Sequence, residues 1–188
     1  MSADVHHQTV SGLAGEVLAN TGVNVNKCYQ CGKCTAGCPL AAEMEYTPSY
    51  AMRMLQAGDP QLEEQLLRSF AIWVCLTCEM CYSRCPKSVD IPKVMDYLRE
   101  KSLKEGKVSP KAKEIVAFHK SFLSSIEKTG RLYELGLTLE YKARTLSLMQ
   151  DVAVAPSMLS RGKLHLVPEV IKGKSKIVSI FNKTVKKK

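Results

Sequence analysis

Aromatic residues are scarce in this 188-residue chain, at 6% with a single tryptophan. No apolar run approaches the roughly 18 residues that a bilayer span requires. Met1 to His7 show neither the basic stretch nor the apolar core of a secretory leader. The expectation is a chain without a transmembrane segment in the cytoplasm, where thiols stay reduced and free to bind metal. Eight cysteines in a secreted domain would suggest a disulfide framework, but nothing here supports secretion. Acidic residues thin out toward the C-terminus. Residues 1–110 hold 11 Lys+Arg and 12 Asp+Glu, whereas residues 111–188 hold 16 and 6, a balance of +10. That basic part suits an acidic protein partner, nucleic acid or a solvated tail. The sequence also lacks a phosphate loop, a nucleophile–base pair and a substrate acid, so no active site of its own is expected.

What is present is one internal repeat. Cys28, Cys31, Cys34 and Cys38, followed by Pro39, return 47 residues later as Cys75, Cys78, Cys81 and Cys85, followed by Pro86. Both runs read C-x2-C-x2-C-x3-C-P. Structural zinc sites pair two C-x2-C knuckles far apart in sequence, whereas three cysteines at successive x2 gaps can wrap three corners of a cube. The chemistry indicated is two [4Fe–4S] clusters bound by thiolates, soft ligands that suit iron and sulfide. In two-cluster ferredoxins the cysteine before the proline serves the other cluster. The expected ligands are Cys28, Cys31, Cys34 and Cys85 for the first cluster, and Cys75, Cys78, Cys81 and Cys38 for the second. Gly32 and Gly37 would let backbone amides approach the sulfides, or simply shape the turns. Lys33 and Arg84 would offset cluster charge or lie solvated. Trp73 is read as packing beside a cluster. His6, His7, His119 and His165 form no ligand pattern, and Met44, Met52, Met54, Met80 and Met95 read as core filling.

The 36 residues between Cys38 and Cys75 read as helices, not as the short linker of a small bacterial ferredoxin. A helix is expected over residues 10–20, then one over 49–56 after Thr47 and Pro48. Asp59 and Pro60 start another, with Leu62, Leu66 and Phe70 on one face. Asp90, Ile91 and Pro92 lead into a helix over 93–104, and a short β bridge is expected at 23–25. Past Gly106, Pro110 opens a helix with Ile115, Phe118, Phe122 and Ile126 on one face. Leu132, Leu135, Leu139 and Leu146 suggest a second, Gly162 and Pro168 interrupt, and Val178 and Phe181 sit on a short last helix before Lys186 to Lys188. The fold class expected is mainly α. It comprises an N-terminal helical segment (1–22), an α-helical ferredoxin-type domain with two [4Fe–4S] clusters (23–107), and a basic helical C-terminal extension (108–188).

Several strings resemble the C subunit of heterodisulfide reductase. They are Cys28-Tyr29-Gln30-Cys31-Gly32-Lys33-Cys34 with Gly37-Cys38-Pro39, Met54-Leu55-Gln56-Ala57-Gly58-Asp59, and Trp73-Val74-Cys75-Leu76-Thr77-Cys78. Phe118-His119-Lys120-Ser121-Phe122, Gly130-Arg131 and Glu134-Leu135-Gly136-Leu137 extend the likeness over nearly the whole chain. The resemblance implies a non-catalytic electron-transfer subunit of an oxidoreductase. It would pass electrons between an A subunit that bears flavin and clusters and a B subunit where a disulfide is cleaved. In methanogens that disulfide joins coenzymes M and B. A hydrogenase or formate dehydrogenase module is a further partner that the resemblance suggests. An alternative is the iron–sulfur subunit of another flavin-dependent dehydrogenase or fumarate reductase-like complex, although an additional [2Fe–2S] domain is absent here. A zinc-based nucleic-acid-binding module is a remote alternative, and the basic part has few of the aromatic residues it would need.

Overall fold

Proline sets the starts of three helices in the first part of the chain, at residues 48, 60 and 91, with an aspartate cap at two of them. The computed structural model describes residues 12–146, 155–162 and 167–184, and among them there are helices and turns but no strand. The chain divides into two units, residues 1–112 and 113–188.

In the first unit, α1 (Gly12–Thr21) buries Leu13, Ala14 and Val17. Val10 and Ser11, expected in this helix, lie outside the described residues. The Leu13 N–H, left free at the helix start, donates to Glu63 Oε1 at 2.9 Å. The bridge expected at 23–25 does not form. Val25–Lys27 is a single 3-10 turn, and the Asn24 side chain accepts from the Asn26 N–H at 3.0 Å. A local bond of this kind competes with extended pairing, and no partner strand is on hand among the described residues. α2 (Lys33–Ala36) lies within the first cysteine run, and a 3-10 turn follows at Ala41–Glu43.

α3 (Pro48–Ala57) starts where Pro48 predicts, but Thr47 makes no side-chain cap bond. The Ser49 N–H donates instead to Thr35 Oγ1 at 3.0 Å, so the first cysteine loop caps this helix. α4 (Pro60–Arg68) is capped as expected, Asp59 accepting from the Gln61 N–H at 2.8 Å. Its inner face is Leu66 and Leu67, with Leu62 and Phe70 only half-buried. Two short helices, α5 (Ala71–Val74) and α6 (Met80–Ser83), flank the second loop. α7 (Ile91–Lys104) is capped by Asp90, which accepts from the Lys93 N–H at 3.0 Å.

The core joins Val17 and Val25 to Met52, Met54 and Leu55 of α3, Leu66 of α4, Ile72 of α5, and Val94, Met95 and Leu98 of α7. At about 25 cal/mol per Å² of apolar surface, burial of these side chains is the main term holding the helices together. Met44 is buried too, but Met80 is 44% exposed and so is not core filling. It opens α6 at the rim of a cavity described below. Ion pairs brace the periphery. Lys101 on α7 meets Glu16 on α1 at 2.5 Å and Glu105 at 2.8 Å, and Lys107 pairs with Glu64 and Glu105.

In the second unit, Lys113–Thr129 form α8 and Glu134–Thr145 form α9. Ala155–Ser160 form α10, for which the sequence gives no clear signal, and Lys174–Thr184 form α11. The buried face of α8 is Ser121, Ser125 and Thr129, not the apolar stripe at Ile115, Phe118, Phe122 and Ile126. Small residues at i, i+4 and i+8 let α9 and α11 approach closely, and the hydroxyls of Ser125 and Thr129 find local partners, whereas that of Ser121 is buried without one. Thr129 Oγ1 donates to the Ser125 carbonyl at 2.8 Å, and Ser125 Oγ accepts from the Tyr133 N–H at 3.0 Å. Phe118 stays 44% exposed, its ring edge-on to Tyr141 with centroids 6.2 Å apart. Leu139 and Leu146 are 61% and 84% exposed, so the leucine stripe expected on α9 is not a core face. Phe181 is buried on α11, as its spacing suggested, while Lys186 to Lys188 lie outside the described residues.

Glu140 joins α9 to α8. Burial pushes its carboxyl up, but hydrogen bonds from Arg144, Lys128 and Ser124 outweigh that and bring it to about 2. A group depressed in this way contributes stability above the ordinary carboxyl value, about 4.3, which is lost as pH falls through the folded value. Glu140→Gln is expected to weaken α8–α9 packing at pH 7 by about 1 kcal/mol after solvent screening. Faster amide hydrogen exchange along both helices would report it, and the difference from wild type should shrink below about pH 4.

Candidate metal centres

The two cysteine loops are built alike. In the first, Gln30 (φ 63°) and Gly32 (φ 75°) are left-handed, and α2 follows. In the second, Thr77 (φ 51°) and Glu79 (φ 61°) hold the matching positions, and α6 follows. Left-handed backbone is costly for a non-glycine residue, and such conformations persist only where the surroundings fix them. Exposure repeats in the same order. Cys31 and Cys78 are exposed, Cys34 and Cys81 are buried, and Cys28, Cys38, Cys75 and Cys85 lie between.

The loops meet across the repeat. Gly37 and Arg84 hold equivalent positions, and the Arg84 side chain lies over Gly37. A Cβ added there would sit 2.5 Å from Arg84 Cδ, which explains the glycine by close approach. Cys38, Cys75, Cys78 and Cys81 line one cavity of about 400 Å³, open mouth included, together with apolar groups that include Pro39, Met44, Ile91 and Met95. The charge of Cys38 acts on Cys75. On the other side, the Tyr29 hydroxyl is pushed up first by its hydrogen bond with Cys31, then by burial and the nearby charges of Cys31, Cys85 and Cys28. Each cysteine that precedes a proline thus lies near the triplet of the other run.

The thiols are tuned by their surroundings. Burial pushes Cys81 up to about 12 and raises Cys34 and Cys75 as well. Cys31 is lowered, chiefly by the backbone N–H of Lys33. The Val89 N–H reaches Cys85 Sγ at 3.3 Å, and Gln30 Nε2 reaches Cys28 Sγ at 3.5 Å. At Cys81 the buried thiol is protonated at neutral pH, so a charge that replaces its proton is needed to hold it as thiolate.

A [4Fe–4S] cluster fits this donor set. Four sulfurs surround one apolar cavity, and among the described residues no three His, Cys, Asp or Glu groups converge closely enough for a single ion. A cube with an iron at each of four corners accepts sulfurs spaced more widely than one ion does. His119 is exposed against Phe118, and His6, His7 and His165 lie outside the described residues. Trp73, expected to pack beside a cluster, is buried with its indole Nε1 unpartnered. Three polar residues escaped sequence reasoning. Thr35 caps α3, and Gln56 and Arg99 each bind carbonyls where a cysteine loop begins. All three bonds link residues at least 14 apart, beyond the reach of local patterns.

Comparison with known proteins agrees with this chemistry. A 4Fe-4S dicluster domain matches residues 24–89. The chain is 38% identical over 95 residues to the iron-sulfur C subunit of the CoB--CoM heterodisulfide reductase of Methanopyrus kandleri, covering 50% of this chain and 47% of that one. It is 31% identical over 115 residues to the C subunit of the H(2):CoB-CoM heterodisulfide,ferredoxin reductase of Methanothermobacter thermautotrophicus, covering 61% and 57%. Against an iron-sulfur C subunit of the CoB--CoM heterodisulfide reductase of Methanocaldococcus jannaschii the identity is 29% over 112 residues, covering 60% and 58%. The chain spans about half the length of the curated relatives it matches. The likeness therefore covers half to three-fifths of this chain, less than the nearly complete extent expected from its strings. With two cysteine loops, a helical frame and a dicluster domain that takes two [4Fe–4S] clusters, the chain is an iron–sulfur protein related to the iron–sulfur C subunits of heterodisulfide reductases.

Proposed function

We propose that this chain is the electron-relay subunit of a heterodisulfide reductase-type complex in the cytoplasm, passing electrons between a flavin-bearing A subunit and a disulfide-reducing B subunit. Cys28, Cys31, Cys34 and Cys85 hold one cluster, and Cys75, Cys78, Cys81 and Cys38 hold the other. The observation that carries the reading is the matched exposure of the two loops. Each offers one cysteine to solvent, Cys31 or Cys78, and keeps another buried, Cys34 or Cys81, on α2 and α6, which pack against each other. Each site thus has an outward side, where a partner can approach, and an inward side toward the other site. A bound [4Fe–4S] cluster takes up or releases one electron. The cysteines hold it through thiolates, and the Val89 and Lys33 amides and the Gln30 side chain stabilise sulfur charge.

The chain loaded with clusters is expected to exchange electrons with viologen dyes and to leave disulfides intact when alone. Steady disulfide turnover by the purified chain would overturn the relay assignment. About eight irons per chain, as two cubanes require, would separate it from a zinc-based nucleic-acid module. No helix among the described residues is long and apolar enough to cross a membrane.

Residues 111–188 dock the relay onto its partner subunits. The support is their balance of +10 and the apolar groups that α8 and α9 leave exposed, among them Phe118 and Leu139. Charge speeds encounter, and apolar contact holds it. Leu139→Glu combined with Leu146→Glu should leave folding within about 0.5 kcal/mol of wild type. The same pair should lower co-purification with partner subunits about tenfold or more. Undiminished co-purification would place the dock elsewhere.

A further inference from the structure

Gln56 and Arg99 hold matching places in the two repeats. Each stands on the helix that follows its own cysteine loop, α3 or α7, and each reaches back to where that loop begins. Gln56 Nε2 donates to the carbonyls of Val25 at 3.0 Å and Cys28 at 2.7 Å. Arg99 Nε donates to the carbonyl of Ile72, and Nη2 donates to that of Cys75. Val25 lies three residues before Cys28, and Ile72 lies three before Cys75. Mechanically the two side chains do one task, which is to fix the first cysteine of a loop. Electrically they differ, because one is neutral and the other carries a full positive charge.

That charge is not spent at the surface. The Arg99 side chain is 16% exposed, while its carboxylate neighbour Asp96, 3.1 Å away, is 60% exposed and screened by water. The guanidinium is bonded to the backbone carbonyl of Cys75 itself, which places the charge at the first cysteine of the second loop. Exposure of the cysteines is matched between loops, and the other charge contrasts, Lys33 against Met80 and Glu79 against Gly32, lie on exposed side chains that water screens. Arg84 lies at the surface between the runs and belongs to neither loop alone.

We propose that Arg99 makes the cluster held by Cys75, Cys78 and Cys81 the higher-potential one of the two, so that an electron entering at either end of the chain comes to rest there. Uptake of one electron from a low-potential donor takes a cubane with its four thiolates from a net charge of about −2 to about −3, with no bond made or broken. A fixed positive charge in a poorly hydrated place favours the more negative state. Gln56 supplies the same hydrogen bonds without that bias and leaves the first cluster at lower potential. The inference rests on the proposed relay only in placing a cluster on each loop, and it is independent of which fourth cysteine completes either one.

The test is a redox titration of the full chain with titanium(III) citrate, followed by electron paramagnetic resonance. Cys78→Ser replaces an exposed sulfur ligand by oxygen and marks the signal of the second loop. The marked signal should be the one that appears at the higher potential. Arg99→Gln, which copies the first repeat, should weaken electron uptake at that signal about tenfold, about 59 mV for one electron. Arg99→Lys keeps the charge and should restore most of the difference. The inference falls if Cys78→Ser marks the lower-potential signal, or if Arg99→Gln with its full iron leaves the higher couple in place. Should Arg99→Gln fail to hold iron, the marked signal in the Arg99-containing chain and the Arg99→Lys titration decide the matter. A chain without two one-electron couples would sink the relay itself, whereas two couples in the opposite order would sink only the role of Arg99.

Discussion

Cys38→Ser is expected to remove the cluster of the second cysteine loop, although Cys38 belongs to the first run. Iron should fall from about eight to about four atoms per chain, one cubane's worth. The signal that survives should be the one altered by Cys31→Ser, not the one altered by Cys78→Ser. The reason is spatial. The chain turns at Pro39 immediately after Cys38, and the Cys38 sulfur lines the cavity of Cys75, Cys78 and Cys81. Cys85 of the other run acts on Tyr29 along with Cys28 and Cys31, so it is the sulfur proposed to complete the first triplet. Cys85→Ser should give the mirror result and spare the second loop. Serine is close in size to cysteine but is a harder, more basic ligand that suits iron–sulfur chemistry poorly. Loss of the first-loop signal in Cys38→Ser would mean that each run serves a cluster of its own.

The parts of the site that were legible in the sequence are those with a local cause. Thiolate spacing indicated cubanes because the chemistry needs soft donors at cube corners. Asp59 with Pro60 and Asp90 with Pro92 marked helix starts because a cap involves residues only two or three apart. Elsewhere the deciding contact is long-range or the residue type misleads. The Gln56 and Arg99 bonds to cysteine carbonyls span 28 and 24 residues, so neither residue stands out in a linear reading. On α8, periodicity picked the phenylalanine stripe, whereas the helix buries serines and a threonine that a hydrophobic pattern scores as outward. Met80 is apolar in type yet sits where α6 opens at the cavity rim, so exposure there follows from the loop and not from hydrophobicity. Residues 23–25 looked extended because of two valines, but Asn24 diverted the backbone into a turn.

Removing the iron by chelation under reducing conditions is expected to abolish cooperative unfolding of residues 1–112. Two competing terms decide the outcome. The apolar core between α1, α3, α4, α5 and α7 persists without metal and keeps these helices collapsed. Against it stand the cysteine loops, whose helices α2 and α6 have only four residues each and whose entries are left-handed at Gln30, Thr77 and Glu79. Helices that short do not persist on their own, and each left-handed non-glycine residue costs on the order of 1–3 kcal/mol. Structural metal sites contribute on the order of 10 kcal/mol to folding, comparable with the entire margin of about 5–15 kcal/mol for a domain. Thr35 couples the loop to the frame, because the same hydroxyl caps α3 through the Ser49 N–H. The chelated chain should therefore keep most of its far-ultraviolet helical signal, lose its near-ultraviolet signal from Trp73, and bind hydrophobic dye. Cys81→Ser should go part of the way, losing one cluster and lowering the melting temperature. A chelated chain that still melts sharply at the holoprotein's temperature would show that the helical core, not the metal, holds the loops in place.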